Sequence, residues 1–299
     1  MLTRIAAAQY PIDWLENLDA WKAKTSDWVE RAVAESAQLL LFPEYGSMEL
    51  ASLFGEKVSR DIFASFDAMQ GLLPEVVDHW RGLAVKAGVH IVAPSFPERD
   101  EAGTVRNVAR IFTPKGLCGE QPKVIMTRFE GERWNMVGGG PVRVFETTLG
   151  RIGISICYDV EFPPIARAQA EAGAWLILAP SATEGMMGAS RVAIGAAARA
   201  LENQCYVATA PTSGSAPWSV AVDSNRGAAR VVCPPDNGFA DTGLMAVGEM
   251  DAAQWVFADL DAGLVKSARE DGDVLIFRDR LKAGGSAPIA EVIDLTGAA

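Results

Sequence analysis

Apolar residues in this chain fall into short unbroken runs, separated by longer stretches where they recur every three or four positions. The runs read as buried strands and the stretches as helices with one buried face. Residues 5–9 form the first such run. Residues 14–38 carry apolar side chains at helical intervals, among them Trp21, Trp28, Val29, Ala32 and Val33. Residues 39–42 then read as a buried strand that stops at Pro43. The rhythm recurs with a helix over 80–87, ended by Gly88, and a strand over 89–93. Residues 105–113 and 124–127 are further strand candidates. The second half repeats the alternation. It offers a strand at 151–157, a helix at 164–172 ended by Gly173, and a strand at 175–179 before Pro180. An alanine-rich helix follows at 191–203, then a strand at 206–210, late strands within 246–259 and a short helix at 262–268. Strands alternating with helices along the whole chain predict an α/β architecture with helices covering sheet faces. No Pro/Ser/Gly-rich or charged linker interrupts it, so residues 1–281 are expected to form a single domain. Residues 282–299 form a Gly- and Ala-rich tail, expected to pack loosely or against a partner subunit.

Composition narrows the function. The chain has 299 residues, 49% apolar and 22% charged, which excludes disordered and fibrous classes. Lys plus Arg number 27 against 38 Asp plus Glu, a net charge of −11. A pI near 4.8 argues against non-specific binding to nucleic acid or an acidic membrane. The cysteines at 118, 157, 205 and 233 have no C-x-x-C spacing and no nearby histidine, which argues against a disulfide framework or a zinc site. The first residues lack a signal-peptide pattern. The longest charge-free run, 204–222, is interrupted by Pro211, Gly214 and Pro217 and does not read as a membrane helix. A cytoplasmic location is the expectation.

Three residues stand where chemistry is placed in α/β folds. Cys157 closes a strand and opens a turn into the next helix, where a helix start favours the thiolate. A buried structural cysteine fits the same position. Glu44 follows Leu-Leu-Leu-Phe-Pro at the end of another strand, where partial burial raises a carboxyl toward general-base range. A helix cap or solvated loop acid fits too. Lys123 opens an apolar run, although lone lysines are usually solvated. A thiol nucleophile normally uses a histidine base. The chain has only His79 and His90, and neither closes a strand. A glutamate base with a lysine facing the oxyanion is the arrangement that needs no imidazole.

These segments resemble the nitrilase superfamily of carbon–nitrogen hydrolases. Four blocks carry the resemblance in the family's order. They are Leu-Leu-Leu-Phe-Pro-Glu44, Lys123 with the acidic cluster after it, Gly153-Ile-Ser-Ile-Cys157-Tyr-Asp159 followed by Phe162-Pro163, and Arg199-Ala-Leu-Glu202-Asn203-Gln. The resemblance implies a four-layer α-β-β-α sandwich. It also implies Glu44 as general base, Lys123 as electrostatic stabiliser and Cys157 as nucleophile, with the Tyr158 backbone N–H helping at the oxyanion. The family often has a second glutamate between the lysine and the cysteine. The distance to Cys157 and the following Arg-Trp favour Glu132, with Glu130 as the alternative. No metal or organic cofactor is implied. The substrate would be a small linear amide or a carbamoyl compound, with a nitrile as the runner-up, and the assembly a homodimer or larger. The intact set of three argues against a non-catalytic scaffold.

The chain also departs from the common pattern. Many members carry arginine where Glu161 stands. Thr183-Glu184-Gly-Met-Met187 occupies a stretch where the family places substrate contacts. Acids facing the pocket there would favour an amine-bearing substrate, whereas a Glu161 turned to a helix start or a neighbouring chain would not. Trp134 and Phe162 could wall the pocket, although core packing suits both better. Asp159 reads as structural at the strand–helix turn, and Cys118, Cys205 and Cys233 as structural cysteines. Trp218, in the loop 210–226, would lie at the site or on the surface.

Overall fold

A computed structural model describes residues 2–283 of the chain. The expected tail therefore lies mostly outside the described residues. The strands run in one hydrogen-bonded order that divides into two leaves. One leaf holds Cys118–Pro122, Val105–Phe112, His90–Arg99, Leu39–Leu41 and Leu2–Pro11. The other holds Tyr206–Ser215, Leu176–Ser181, Gly150–Ile154 and Val144–Thr147. They join only where Tyr10 and Pro11 pair with Thr212 and Ser213. Past that seam the leaves lie face to face.

Alternation along the strands separates the layers, because successive strand side chains point to opposite faces. Ile5, Ala7, Leu39, Leu41, Val92 and Ile111 share one core with Ile152, Ile154, Ile177 and Val207 of the other leaf. Ala6, Ala8, Leu40, Ile91 and Phe112 belong to a second core with Trp21, Trp28 and Trp80 of the helices Leu18–Ala34 and Leu73–Ala87. Ala166, Val192, Ala196 and Ala200 extend the first core beyond the second leaf, on the helices Pro163–Glu171 and Met186–Asn203. The result is a four-layer α-β-β-α sandwich. Gly173, just past Pro163–Glu171, has φ +94°, the left-handed conformation its position suggested.

Several boundaries differ from the sequence expectation. The first helix begins at Leu18, because the Asn17 side chain caps it by accepting from the Ala20 N–H. The helix read at 80–87 begins at Leu73 and the alanine-rich one at Met186. Residues 124–127 are not a strand. The strand lies earlier, at Cys118–Pro122, and residues 124–127 cross to a π-helical turn, Phe129–Arg133. Trp218 packs edge-on against Trp14 at 5.4 Å between ring centroids. Cys205 and Cys233 are buried, whereas Cys118 is exposed.

The strand leading to Cys157 is held from below by Gln169, which is fully buried. Its Nε2 donates to Ile154 O at 2.8 Å, and its Oε1 accepts from Ser155 Oγ at 2.9 Å. A Cβ on Gly153 would stand 2.7 Å from the Gln169 amide carbon. Gly153→Ala is therefore expected to cost ~1–3 kcal/mol through overpacking, read as a lower urea midpoint at unchanged slope.

Candidate active site

Three chain segments converge on one buried ammonium. Pro43 ends the strand run at Leu39–Leu41 and turns Glu44 inward, leaving it 1% exposed. Lys123 follows the strand Cys118–Pro122 and is equally buried. Its Nζ lies 2.7 Å from Glu44 Oε1 and 2.8 and 2.7 Å from the two oxygens of Glu130. Glu130 comes from the turn Phe129–Arg133.

Glu130, not the Glu132 that the sequence favoured, is the acid that reaches Lys123. Glu132 points outward, more than half exposed, and pairs with Arg128 at 2.9 Å. The two residues are two apart on a helical turn and so face nearly opposite directions. Glu130 faces the lysine and collects further donors. Tyr45 Oη donates to it at 2.6 Å, Thr127 N at 2.9 Å and Thr127 Oγ1 at 2.8 Å. Glu44 accepts from Asn107 Nδ2 at 2.9 Å and from the Ala182 N–H at 3.0 Å. Asn107 also accepts the Lys123 N–H at its carbonyl, at 2.8 Å. Sequence reasoning missed Tyr45 and Asn107. The signal for Asn107 was a lone amide within the strand Val105–Phe112.

Cys157 opens a short 3-10 turn, Cys157–Glu161, after the strand Gly150–Ile154. Its φ is +47°, a left-handed conformation that costs a non-glycine residue of order 1–3 kcal/mol and clusters at functional sites. Its Sγ approaches Ala182 O at 3.7 Å. Two residues on, Asp159 accepts from the backbone N–H groups of Val124 and Ile125.

The charges respond to burial and to one another. Burial pushes the Glu44 carboxyl up to about 7; Lys123 opposes the rise and the Glu130 charge adds to it. Burial would likewise raise Glu130, yet the Lys123 ammonium and the hydrogen bonds from Lys123, Tyr45 and Thr127 hold it below its ordinary value. Burial disfavours the Lys123 ammonium, but the Glu44 and Glu130 carboxylates outweigh it and raise its pKa. Burial, then the Glu44 charge, push the Cys157 thiol well above its usual range. Cys157 therefore rests as a thiol, with the Glu44 carboxyl in the same cavity.

A cavity of about 490 Å³ opens over this cluster. Glu44, Lys123, Glu130 and Cys157 line it, as do Tyr158, Trp134, Thr183, Glu184 and Met187. Phe162 does not; it stands behind Tyr158, edge to face at 4.8 Å between ring centroids. Glu161 reaches the cavity wall, but its carboxylate pairs there with Arg191 at 3.3 Å. His79 bonds Thr25 at 2.8 Å and His90 contacts Thr148 at 3.3 Å, and neither lines the cavity. Among the described residues no three His, Cys, Asp or Glu side chains converge as a metal site. No helix among them is long and apolar enough to cross a membrane.

Comparison with known proteins agrees with this arrangement of strands and motifs. The chain is similar to a probable hydrolase of Bacillus subtilis (strain 168), YhcX, at 30% identity over 277 residues, 93% of this chain. It spans about half, 53%, of that protein's length. It is 27% identical over 216 residues to the omega-amidase NIT2 of Danio rerio, covering 69% of this chain and 73% of that one. Its fold superposes on a mutant of the amidase from Nesterenkonia sp. AN1 with a TM-score of 0.69 and 25% identity, covering 89% and 96% of the two chains. That structure is described as showing Michael addition of acrylamide at the active-site cysteine. The family model for carbon-nitrogen hydrolases matches residues 4–232, which include Glu44, Lys123, Glu130 and Cys157, and the chain belongs to that family.

Proposed function

We propose that the protein is a cysteine-dependent amidase that hydrolyses small linear amides through a thioester on Cys157. One observation carries this reading. A thiol held in a left-handed turn lines the same cavity as a buried ammonium shared by two carboxylates. The amidase and omega-amidase names of its relatives support it.

In the proposed reaction Glu44 takes the proton from Cys157 Sγ as the sulfur attacks the amide carbon. The developing oxyanion meets the Lys123 ammonium and the Tyr158 N–H, one of the donors that a helix start leaves without an intrahelical partner. The tetrahedral intermediate collapses with cleavage of the carbon–nitrogen bond, and Glu44 returns the proton to the leaving amine. Water then enters, Glu44 removes its proton, and hydroxide attacks the thioester. The acid leaves and the proton returns to sulfur. Glu130 keeps Lys123 charged and oriented and exchanges no proton.

The cavity rim bears on the substrate. Arg191 offsets Glu161, so Glu161 alone does not make the pocket acidic. Glu184 lines the same wall and forms no ion pair among the described residues. An amide carrying an ammonium group away from the scissile bond is the substrate we propose, with Glu184 as its counter-charge.

Ammonia release from a panel of amides, ureido compounds and nitriles tests the reading. Cys157→Ala is expected to abolish release, and full activity in that variant would sink the reading. Lys123→Ala should cost ~10²–10³ in kcat. Glu130→Gln should slow turnover, whereas Glu132→Gln should stay within about twofold of wild type, as exposed pairs contribute little. The base must be ionised to act, so kcat/KM should rise with pH and reach half its plateau near 7, the range to which burial moves Glu44. An acid limb near 4.5 instead would remove Glu44 from the base role. Amine-bearing amides should outpace dicarboxylic monoamides, and Glu184→Gln should narrow that gap by raising KM for the former. The reverse preference would exclude Glu184 as a recognition residue.

A further inference from the structure

Cys157 and Lys123 lie on different segments, and one side chain ties those segments together. Asp159 sits on the turn Cys157–Glu161, two residues past the cysteine, and is 1% exposed. Its Oδ2 accepts the Val124 N–H at 3.1 Å and its Oδ1 the Ile125 N–H at 2.8 Å. These are the two residues after Lys123, in a stretch that belongs to no strand. On its other side the lysine is fixed through its own N–H to Asn107 O. The backbone at and after Lys123 is thus held from two directions, one of them the nucleophile's own turn.

We propose that Asp159 is a positioning residue for the reaction, a strut that fixes the Lys123 ammonium relative to the Cys157 sulfur. The proposal rests on the reading above, in which Lys123 faces the oxyanion formed at Cys157. Both carboxylate oxygens are used, one for each N–H. An amide in their place offers a single acceptor oxygen and turns an NH₂ donor toward the second N–H. One bond is lost and two donors oppose each other. The segment after Lys123 then relaxes, and a displacement of about 1 Å in such a group costs on the order of 10² in rate. The substrate cavity is not lined by Asp159, so ground-state binding is untouched.

The test is a double-mutant cycle on kcat and KM for ammonia release, using the preferred amide. It compares Asp159→Asn, Lys123→Ala and the double variant, with thermal melting of each. Asp159→Asn should lower kcat ~10–10²-fold while KM moves less than about threefold. In the Lys123→Ala background the same change should cost less than about twofold, because a strut has nothing left to position. Wild-type kcat in a folded Asp159→Asn variant, or losses that multiply in the double variant, would overturn the proposal. If Asp159→Asn or Lys123→Ala does not fold, Asp159→Glu carries the test. It keeps the charge and both acceptors, and should recover a kcat loss of less than about tenfold with KM unchanged. A matching rise in KM would count against the strut. Cys157→Ala in the same assay separates the two failures. If that variant still releases ammonia, the amidase reading falls and the strut with it. If Cys157→Ala is inactive and Asp159→Asn is fully active, only the strut is lost.

Discussion

The buried ammonium of Lys123 is the interaction on which the rest of the site depends. An ion of this size loses several kcal/mol of hydration when it is taken into a protein interior, and only close opposite charge returns it. Two carboxylates do so here, one from a strand end and one from a helical turn far along the chain. The set holds two negative charges against one positive. The surplus falls on Glu44 because the two acids are not equally served. Glu130 receives Lys123 on both oxygens, the Tyr45 hydroxyl and both donors of Thr127, whereas Glu44 has one contact to Lys123, one amide and one backbone N–H. Divergent environments of this kind separate paired acids into different roles. The better-served acid is held below its ordinary pKa, and the other is raised to about 7.

Much of this was legible before any coordinates. Short apolar runs closed by proline marked the strand before Glu44, and the strand–turn–helix pattern marked Cys157. Those signals are local, and the structure preserves them. The failures have a common cause, which is that the deciding partner lies far along the chain. Residues 124–127 have the apolar character of a strand, yet the N–H groups of Val124 and Ile125 go to Asp159 rather than to a neighbouring strand. Glu130 and Glu132 are equivalent as letters and differ only in which side of a π-helical turn faces inward. Glu161 suggested an acidic pocket because Arg191, its partner, is thirty positions downstream on another helix. Asn107 and Tyr45 carried no motif at all. Their roles come from pointing at groups that fold in from elsewhere.

The register of the first strand has a consequence for how the protein is made. Leu2–Pro11 pairs with Leu39–Leu41 along one edge, but its other edge waits for Tyr206–Ser215 and for Gln254–Asp261, where Leu2 meets Asp261. Within this sequence the central strand therefore precedes its last neighbour by about 250 positions. Until the two pair, a row of backbone donors and acceptors in an apolar sequence stays open, the kind of edge that recruits other chains. Contacts this distant in sequence also slow folding, since the loop must close before the pairing rewards it. Leu2–Pro11 is thus completed only by strands about two hundred or more positions downstream, and partly folded forms of this domain carry an open apolar edge.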